Sequence, residues 1–422
     1  MKKNFTVSII GTGSRGADTY GKFMLESPEK FTIVSLCDIN KGKLERARIM
    51  FDVKESACFT DEDKFFKEKR SDILVIATLD SDHVRMAKKA IPLGYTILLE
   101  KPISANYKEC EELLALQKQY GNLIMVCHVL RYTASVKKIK EVLDSGVLGE
   151  IVAIDHLERV AYWHFAHSYV RGNWHKEADT APSILAKCCH DLDLMQYYTG
   201  SKCDYISSVG DLKYFKRENQ PEGAADRCLQ CKYTDTCEYS AKRMYLDWAK
   251  NVNYKDAWPY NVITSEPLSE QSLTKALETT DYGKCVYACD NDVADNQHVV
   301  MQFSNGTKVY LTMMAFTYGG GRRTSFYGTK GELFFDESQN ILKVILYNDN
   351  ITEYKLTDIA KDLRGHGGGD INMIHALYDK LTNPASTVET SLEASVESHK
   401  LAYYAEISRK NGGKMIDLKN NE

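Results

Sequence analysis

No apolar run in this 422-residue sequence approaches the roughly 18 residues that a membrane-crossing helix needs. The opening "MKKNFTVSII" has two lysines before apolar residues, as a secretory signal does. Its apolar stretch is short, however, and runs into a glycine loop where a signal would have a small-residue cleavage site. Basic charge is also lacking. The net charge is −4 and there is no long Lys/Arg run, which argues against a dedicated nucleic-acid binder. Prolines number only eight, and 43% hydrophobic with 27% charged residues is ordinary for a globular protein. The expectation is a cytoplasmic protein. Its twelve cysteines then point to reduced thiols, with one metal site at most, rather than to a disulfide framework. The length calls for two domains or one domain with a large insertion.

What is present begins at "GTGSRG", Gly11 to Gly16. The preceding "NFTVSII" has the β-branched, apolar character of a buried strand, and "ADTYGKFMLES" after it has helical spacing at Tyr20, Phe23 and Met24. A second strand-like run, "FTIVSLCD", ends in Asp38, about 20 residues beyond the glycines. This order makes Gly11, Gly13, Ser14, Arg15 and Gly16 a candidate pyrophosphate loop at a helix N-terminus. Gly11 suits the tight turn, Gly13 the approach of phosphate, and Gly16 the packing of helix on strand. Asp38 suits the adenosine ribose hydroxyls and repels a 2′-phosphate. NAD is therefore expected ahead of NADP, with Lys41 and Lys43 the residues that leave NADP open.

Strands and helices keep alternating through "SDILVIAT", "SDHVRMAKKAIPLG", "YTILLE", "NYKECEELLALQKQYG" and "LIMVCHV". That pattern implies a parallel sheet wound on both faces, with ligands at the carboxyl ends of its strands. The loops carrying Thr78, His83, Glu100 and Lys101 would converge there with Gly11–Gly16 and Asp38. After residue 150 the period becomes two. "EIVAIDHLERV", "HVVMQFSNGTKVYLTMMAF" with its Asn305-Gly306 turn, "TSFYGTKGELFFDE" and "KVILYNDNITEYKL" read as strands and hairpins. The predicted fold is α/β: an N-terminal doubly wound Rossmann sheet over residues 1–130, then an α+β domain over 131–422 with a large, mainly antiparallel sheet.

"LLEKPIS", following the glycine loop and "IATLDSDH", resembles the glucose-fructose oxidoreductase / inositol dehydrogenase / MocA (Gfo/Idh/MocA) family. "RYTASVKKIKEVLDSGVLGEI", "AKCCHDLDLMQYYTG" and "GHGGGD" resemble further segments of it, so the resemblance covers most of the chain except about 211–283. It implies that Lys101 lies beside the nicotinamide and the reacting carbinol, with a cis peptide often preceding Pro102. It implies that His190 exchanges the hydroxyl proton and that Asp193 is an acidic partner one turn later. Many members carry Asp four residues before the His; here that position is Ala186, followed by Lys187. Either Lys187 takes a substrate-binding or acid/base role, or His190 works without that partner. Arg131 and Tyr132 fall where the family often has an Arg-Tyr pair close to nicotinamide or substrate, although a helix-cap role for Arg131 also fits. His366, in "RGHGGGD", sits in a glycine-rich loop that could close over a ligand or be a flexible loop capping the last helix, with Asp370 as its N-cap.

Two further stretches stand out. "AYWHFAHSYVRGNWHKE" mixes aromatics with polar groups suited to a sugar's apolar face and hydroxyl edges, and Arg171, Asn173 and Trp174 are its substrate candidates. The polar insertion 211–283 contains "DRCLQCKYTDTC". Cys228, Cys231 and Cys237 have the spacing of three ligands of a structural zinc, with Cys285 or a nearby His as the fourth. The same spacing suits an iron–sulfur cluster. The overall expectation is an NAD-dependent oxidoreductase acting on a sugar, sugar derivative or cyclic polyol, with Lys101, His190 and Lys187 catalytic. Its resemblance to the family implies a homodimer or homotetramer through the C-terminal sheet. Two alternatives stay open: an NAD-dependent glycosidase working by transient oxidation and elimination, and a non-catalytic NAD-binding sensor.

Overall fold

The computed structural model describes residues 3–360 and 362–420. Its first sheet has six parallel strands: β1 (Phe5–Ile10), β2 (Phe31–Cys37), β3 (Cys58–Phe59), β4 (Ile73–Ile76), β5 (Thr96–Leu99) and β6 (Ile124–Val126). Their order is β3-β2-β1-β4-β5-β6, so the chain reverses direction across the sheet between β1 and β4. All of β4 is buried, as the unbroken apolar run "ILVI" demands of a strand covered on both faces.

One face of this sheet is packed by Tyr20, Met24 and Leu44 together with Met373, Ile374 and Leu377 from the helix Gly369–Thr382. The other face takes Val84, Ala87 and Leu113 together with Leu392 and Val396 of the helix Leu392–Lys410. The C-terminal helices thus complete the core of the N-terminal sheet, which a simple division of the chain near residue 130 does not anticipate.

The second sheet has nine strands: β7 (Ile151–Arg159), β8 (Cys203–Asp211), β9 (Asn296–Phe303), β10 (Lys308–Met314), β11 (Gly321–Gly328), β12 (Gly331–Asp336), β13 (Ile341–Leu346), β14 (Ile351–Lys355) and β15 (Ile416–Asp417). They lie in the order β14-β13-β12-β11-β7-β10-β9-β8-β15. Only the β7–β10 pair among them is parallel. The β9–β10 turn places Gly306 at φ +89°, the left-handed conformation that glycine adopts without strain. The helix Cys189–Thr199 lies on the sheet's inner face, burying Leu192, Leu194 and Met195. In β7 every second residue from Ile154 faces inward, so His156 and Glu158 are buried beneath that helix.

The long connection between β8 and β9 holds only short helices, Glu270–Thr279 being the most regular among them. No helix among the described residues is long and apolar enough to cross a membrane. All twelve cysteines carry free thiols.

Candidate active site

The glycine loop leaves β1 at Gly11, whose φ is +85°; a side chain there would meet Ala77 O at 2.4 Å. A Cβ at Gly16 would sit 2.0 Å from Gly11 O, so the helix that follows can approach β1 only because this residue is glycine. Gly13 is different: a Cβ there would meet nothing within 4 Å. Its backbone faces the open crevice, as close approach of a pyrophosphate requires. Gly13 also caps the helix over Ser14–Leu25 without a side-chain hydrogen bond, which leaves the first N–H groups to a ligand. Asp38, at the end of β2, fixes this turn: Oδ2 accepts from Thr12 N at 2.7 Å and Thr12 Oγ1 at 3.0 Å, and Oδ1 accepts from Asn40 N at 2.8 Å. These residues, with half-buried Thr78 beside them, fit a dinucleotide.

Three residues expected at the cofactor are engaged within the protein. Arg15 does not present a free guanidinium to phosphate: Nε donates to Glu100 Oε1 at 2.6 Å, Nη2 donates to Asp370 Oδ1 at 2.7 Å, and Tyr20 lies against it. It ties the glycine-loop helix to the end of β5 and to the helix Gly369–Thr382. Glu100 is the buried anchor of this tie. Burial opposes its ionisation, but Arg15, Lys101 and the Tyr20 hydroxyl outweigh it and hold the carboxyl below its usual range. His83 is buried behind the crevice, with Nδ1 2.7 Å from Pro102 O and Nε2 3.2 Å from Thr78 O. It sets the spacing of these two loops.

Lys101 follows β5 and precedes a cis peptide to Pro102. Its Nζ crosses to the second sheet's helices and donates to Ala186 O at 3.0 Å. The backbone carbonyl of position 186 thus takes the place of the absent carboxylate. Four residues on, His190 is nearly buried, and its Nδ1 has no hydrogen-bond partner among the described residues. The His128 ring meets it edge to face at 5.5 Å, and the His366 ring lies 6.4 Å away. Burial holds His190 well below the usual imidazole range, and the charges of Lys101, His128, Arg322 and His366 add to the effect. A neutral imidazole beside an ammonium is a proton acceptor next to an electrophile.

Lys187 reaches the same region, with its charge 3.2 Å from Glu158 Oε1. Arg322 bridges Glu158 Oε2 at 3.1 Å and Asp191 Oδ1 at 2.7 Å, and His156 Nε2 lies 2.8 Å from the same Asp191 oxygen. This buried chain pins the helix carrying His190 to the inner face of β7 and β11. Sequence reasoning passed over His156, Glu158, Asp191 and Arg322. The available signal was a charged pair in the inward register of β7.

The expected substrate contacts divide. Arg131 and Asp193 are both buried and form a two-pronged ion pair with each other, Nε–Oδ2 2.7 Å and Nη2–Oδ1 2.7 Å. Their charged ends are paired with one another. Arg171 is buried in the insertion, donating to Lys284 O and Tyr239 O, each at 2.7 Å. Asn173 is exposed. Trp174 Nε1 donates at 2.9 Å to Asp80 Oδ2, linking the second domain's loop to the end of β4. Asp80 is only 4% exposed. Burial raises its carboxyl pKa against the opposing pull of His83 and Lys101. His366, at φ +43°, places Nδ1 2.8 Å from Asp370 Oδ2, so Asp370 orients this histidine and is not the helix N-cap.

Trp258 of the insertion was also unforeseen. Its ring lies 5.0 Å from His164, 5.2 Å from His167 and 5.4 Å from Trp163. His164 is held well below its usual range by burial, and the charges of Lys187, His167, Lys101 and His366 add to the effect.

The structural zinc expected from Cys228, Cys231, Cys237 and Cys285 is not supported in that form. The four residues line one cavity. Among the described residues, however, no three His, Cys, Asp or Glu side chains are gathered as they would be around one metal ion.

A doubly wound domain with an open glycine loop, joined to a second sheet that supplies a buried histidine opposite a strand-end lysine, is the build of a nicotinamide-dependent oxidoreductase. The chain belongs to the Gfo/Idh/MocA oxidoreductase family: residues 5–128 match its NAD-binding Rossmann-fold domain and residues 140–416 its C-terminal alpha/beta domain. It is 21% identical over 391 residues to the oxidoreductase YteT of Bacillus subtilis, covering 88% of each chain. It is 26% identical over 208 residues to the 2,7-anhydro-N-acetylneuraminate hydratase of Mediterraneibacter gnavus, covering 49% of this chain and 53% of that one. Its fold resembles scyllo-inositol dehydrogenase from Lactobacillus casei with bound NAD(H) and scyllo-inositol, with a TM-score of 0.67, 16% identity, and 99% and 100% of the two chains covered.

Removing one partner of a buried ion pair strands the other charge, at a cost of about 3–5 kcal/mol. Asp193→Asn is therefore expected to lower the urea midpoint of unfolding markedly. An unchanged midpoint would show that the Arg131–Asp193 pair is not buried as described.

Proposed function

We propose that this protein is an NAD-dependent oxidoreductase that acts on a CH–OH group of a sugar, sugar derivative or cyclic polyol. The observation that carries the reading is the unpartnered Nδ1 of neutral His190 in a cluster around the Lys101 ammonium. NAD, when bound, supplies the hydride acceptor. Gly11, Gly13, Ser14, Gly16 and Asp38 would hold it, with the Asp38 carboxylate disfavouring a 2′-phosphate. The Lys101 ammonium binds the hydroxyl oxygen and stabilises negative charge developing there. His190 takes the hydroxyl proton at a ring nitrogen. Lys187, fixed by Glu158, orients a neighbouring hydroxyl. The aromatic wall of Trp163, His164 and Trp258 suits the apolar face of a ring, and Trp174 with Asp80 closes the side nearest β4.

A second reading has its own support. Ala186 leaves the site without the extra carboxylate, and one relative is by name a hydratase of an anhydrosugar. In that reading oxidation is transient, a neighbouring C–H is acidified, a substituent is eliminated, water adds, and the hydride returns.

The two readings separate in one assay. The protein is given NAD or NADP and a panel of free sugars, inositols and aryl glycosides, and NADH absorbance and aglycone release are followed together. Steady NADH formation with one polyol or sugar, supported by NAD and not by NADP, is the expected result. NAD-dependent aglycone release without net NADH would replace it with the second reading. Bound NAD with neither signal would favour a sensor.

The outer face of the second sheet exposes Tyr310 (47%), Val300 (41%) and Val152 (50%) on adjoining strands. We propose a second copy of this chain as its partner, giving a homodimer or homotetramer. Sedimentation equilibrium is expected to return a multiple of the chain mass. A monomer at micromolar concentration would refute this.

A further inference from the structure

The helix Leu392–Lys410 belongs to both cores. Leu392 and Val396 pack on the first sheet, whereas Leu401, Ala402 and Ala405 pack in the core of the second. Its start is tied to the first sheet, where Val126 N of β6 donates to Thr390 O at 2.9 Å. His399 follows Val396 by three residues, so it continues the stripe of Leu392 and Val396. The ring is buried. Nε2 lies 2.8 Å from Ile103 N, and Nδ1 lies 2.7 Å from Ser395 O.

These two contacts settle the tautomer of His399. A backbone N–H can only donate, so Nε2 accepts and carries no proton, and Nδ1–H donates to the Ser395 carbonyl. A second proton would set two donors against each other. Burial, with the neighbouring His128, pushes the imidazole pKa down to about 3, so the ring is neutral near neutral pH. Ile103 is the second residue after Lys101 and is fully buried, so its N–H depends on a protein acceptor. The rest of the turn is held in the same manner. Lys101 N donates to Glu100 Oε2 at 2.8 Å, and Pro102 O lies 2.7 Å from His83 Nδ1.

His399 also reaches the other half of the centre. The His128 ring is fully buried and stands edge to face with two others, His399 at 5.7 Å and His190 at 5.5 Å. Neither His128 nitrogen has a hydrogen-bond partner among the described residues, so packing alone places this ring, as a spacer between its neighbours. We propose that His399 is a positioning residue of this centre: it fixes the turn that carries Lys101 and, through the His128 ring, sets the distance between Lys101 and His190. The inference rests on the reading of Lys101 and His190 as the oxygen-binding and proton-accepting pair. It gives the C-terminal helix the task of holding that pair together.

Because His399 is neutral, replacing it removes no charge, and a change at His190 then reports a rearrangement around it. The amide of His399→Gln keeps an acceptor within reach of Ile103 N, whereas that of His399→Asn is too short. Histidine-resolved NMR of the full chain follows the His190 titration in both variants and in Lys101→Met. His399→Asn is expected to raise the His190 titration in the direction that Lys101→Met raises it, with His399→Gln restoring the wild-type curve. In the Lys101→Met background His399→Asn should then have no further effect. An effect that persists undiminished in that background would overturn the proposal. So would a His190 titration that Lys101→Met moves and His399→Asn does not. Loss of the wild-type circular dichroism in His399→Asn and His399→Leu alike would assign His399 to the fold and overturn it too. A titration that Lys101→Met leaves unmoved would overturn the proposal together with the reading beneath it, so the two failures are told apart. None of these outcomes requires a known substrate.

Discussion

The Lys101 ammonium stands at the end of a parallel strand of one domain and hydrogen-bonds a backbone carbonyl of the other. Around it lie histidines that burial has already made hard to protonate. The positive charge lowers their basicity further, so these rings stay neutral beside it. In the proposed reaction this sets a division of labour, the lysine attracting the oxygen and His190 accepting the proton. The domains have to be held in register for that division to persist, because Lys101 follows a strand of the first sheet and His190 lies on a helix of the second domain.

Other charges in the interior serve this register. Arg15 joins the glycine loop to Glu100 and Asp370, so the cofactor loop, the strand that carries Lys101 and the C-terminal helix beside His366 are one electrostatic unit. Glu158, Arg322 and Asp191 perform the same service for the helix that carries His190. Arg131 and Asp193 brace it from the opposite side. Each is a buried pair or chain, costly to break and therefore specific in placement.

The first sheet was legible because its strands are buried on both faces and punctuated by glycine, so apolar runs such as "ILVI" and the loop at Gly11–Gly16 announce themselves. The hairpins from β9 to β14 were legible from alternation and turn residues. β8 was missed: "CDYISSVGD" fills its inward positions partly with serine, and Ser208 packs under hydrogen bonds rather than as an apolar side chain. Lys101 and His190 could be picked out because "LLEKPIS" and "AKCCHDLDLMQYYTG" resemble segments of the family. The roles of Arg131, Asp193, Arg171 and Arg15 could not, since an arginine's partner is set by tertiary contact and a lone motif says only where the backbone goes. Asp80 and Trp258 belong to the same class, each being defined by a neighbour remote in sequence.

The most direct measurement is a histidine-resolved NMR titration of wild type and Lys101→Met. The account predicts that the His190 ring of the wild type stays neutral down through the ordinary imidazole value of about 6.5. Removing the neighbouring positive charge should raise its titration toward that value. A wild-type His190 that titrates at its ordinary value, unmoved by the loss of Lys101, would contradict the electrostatic centre on which the rest depends.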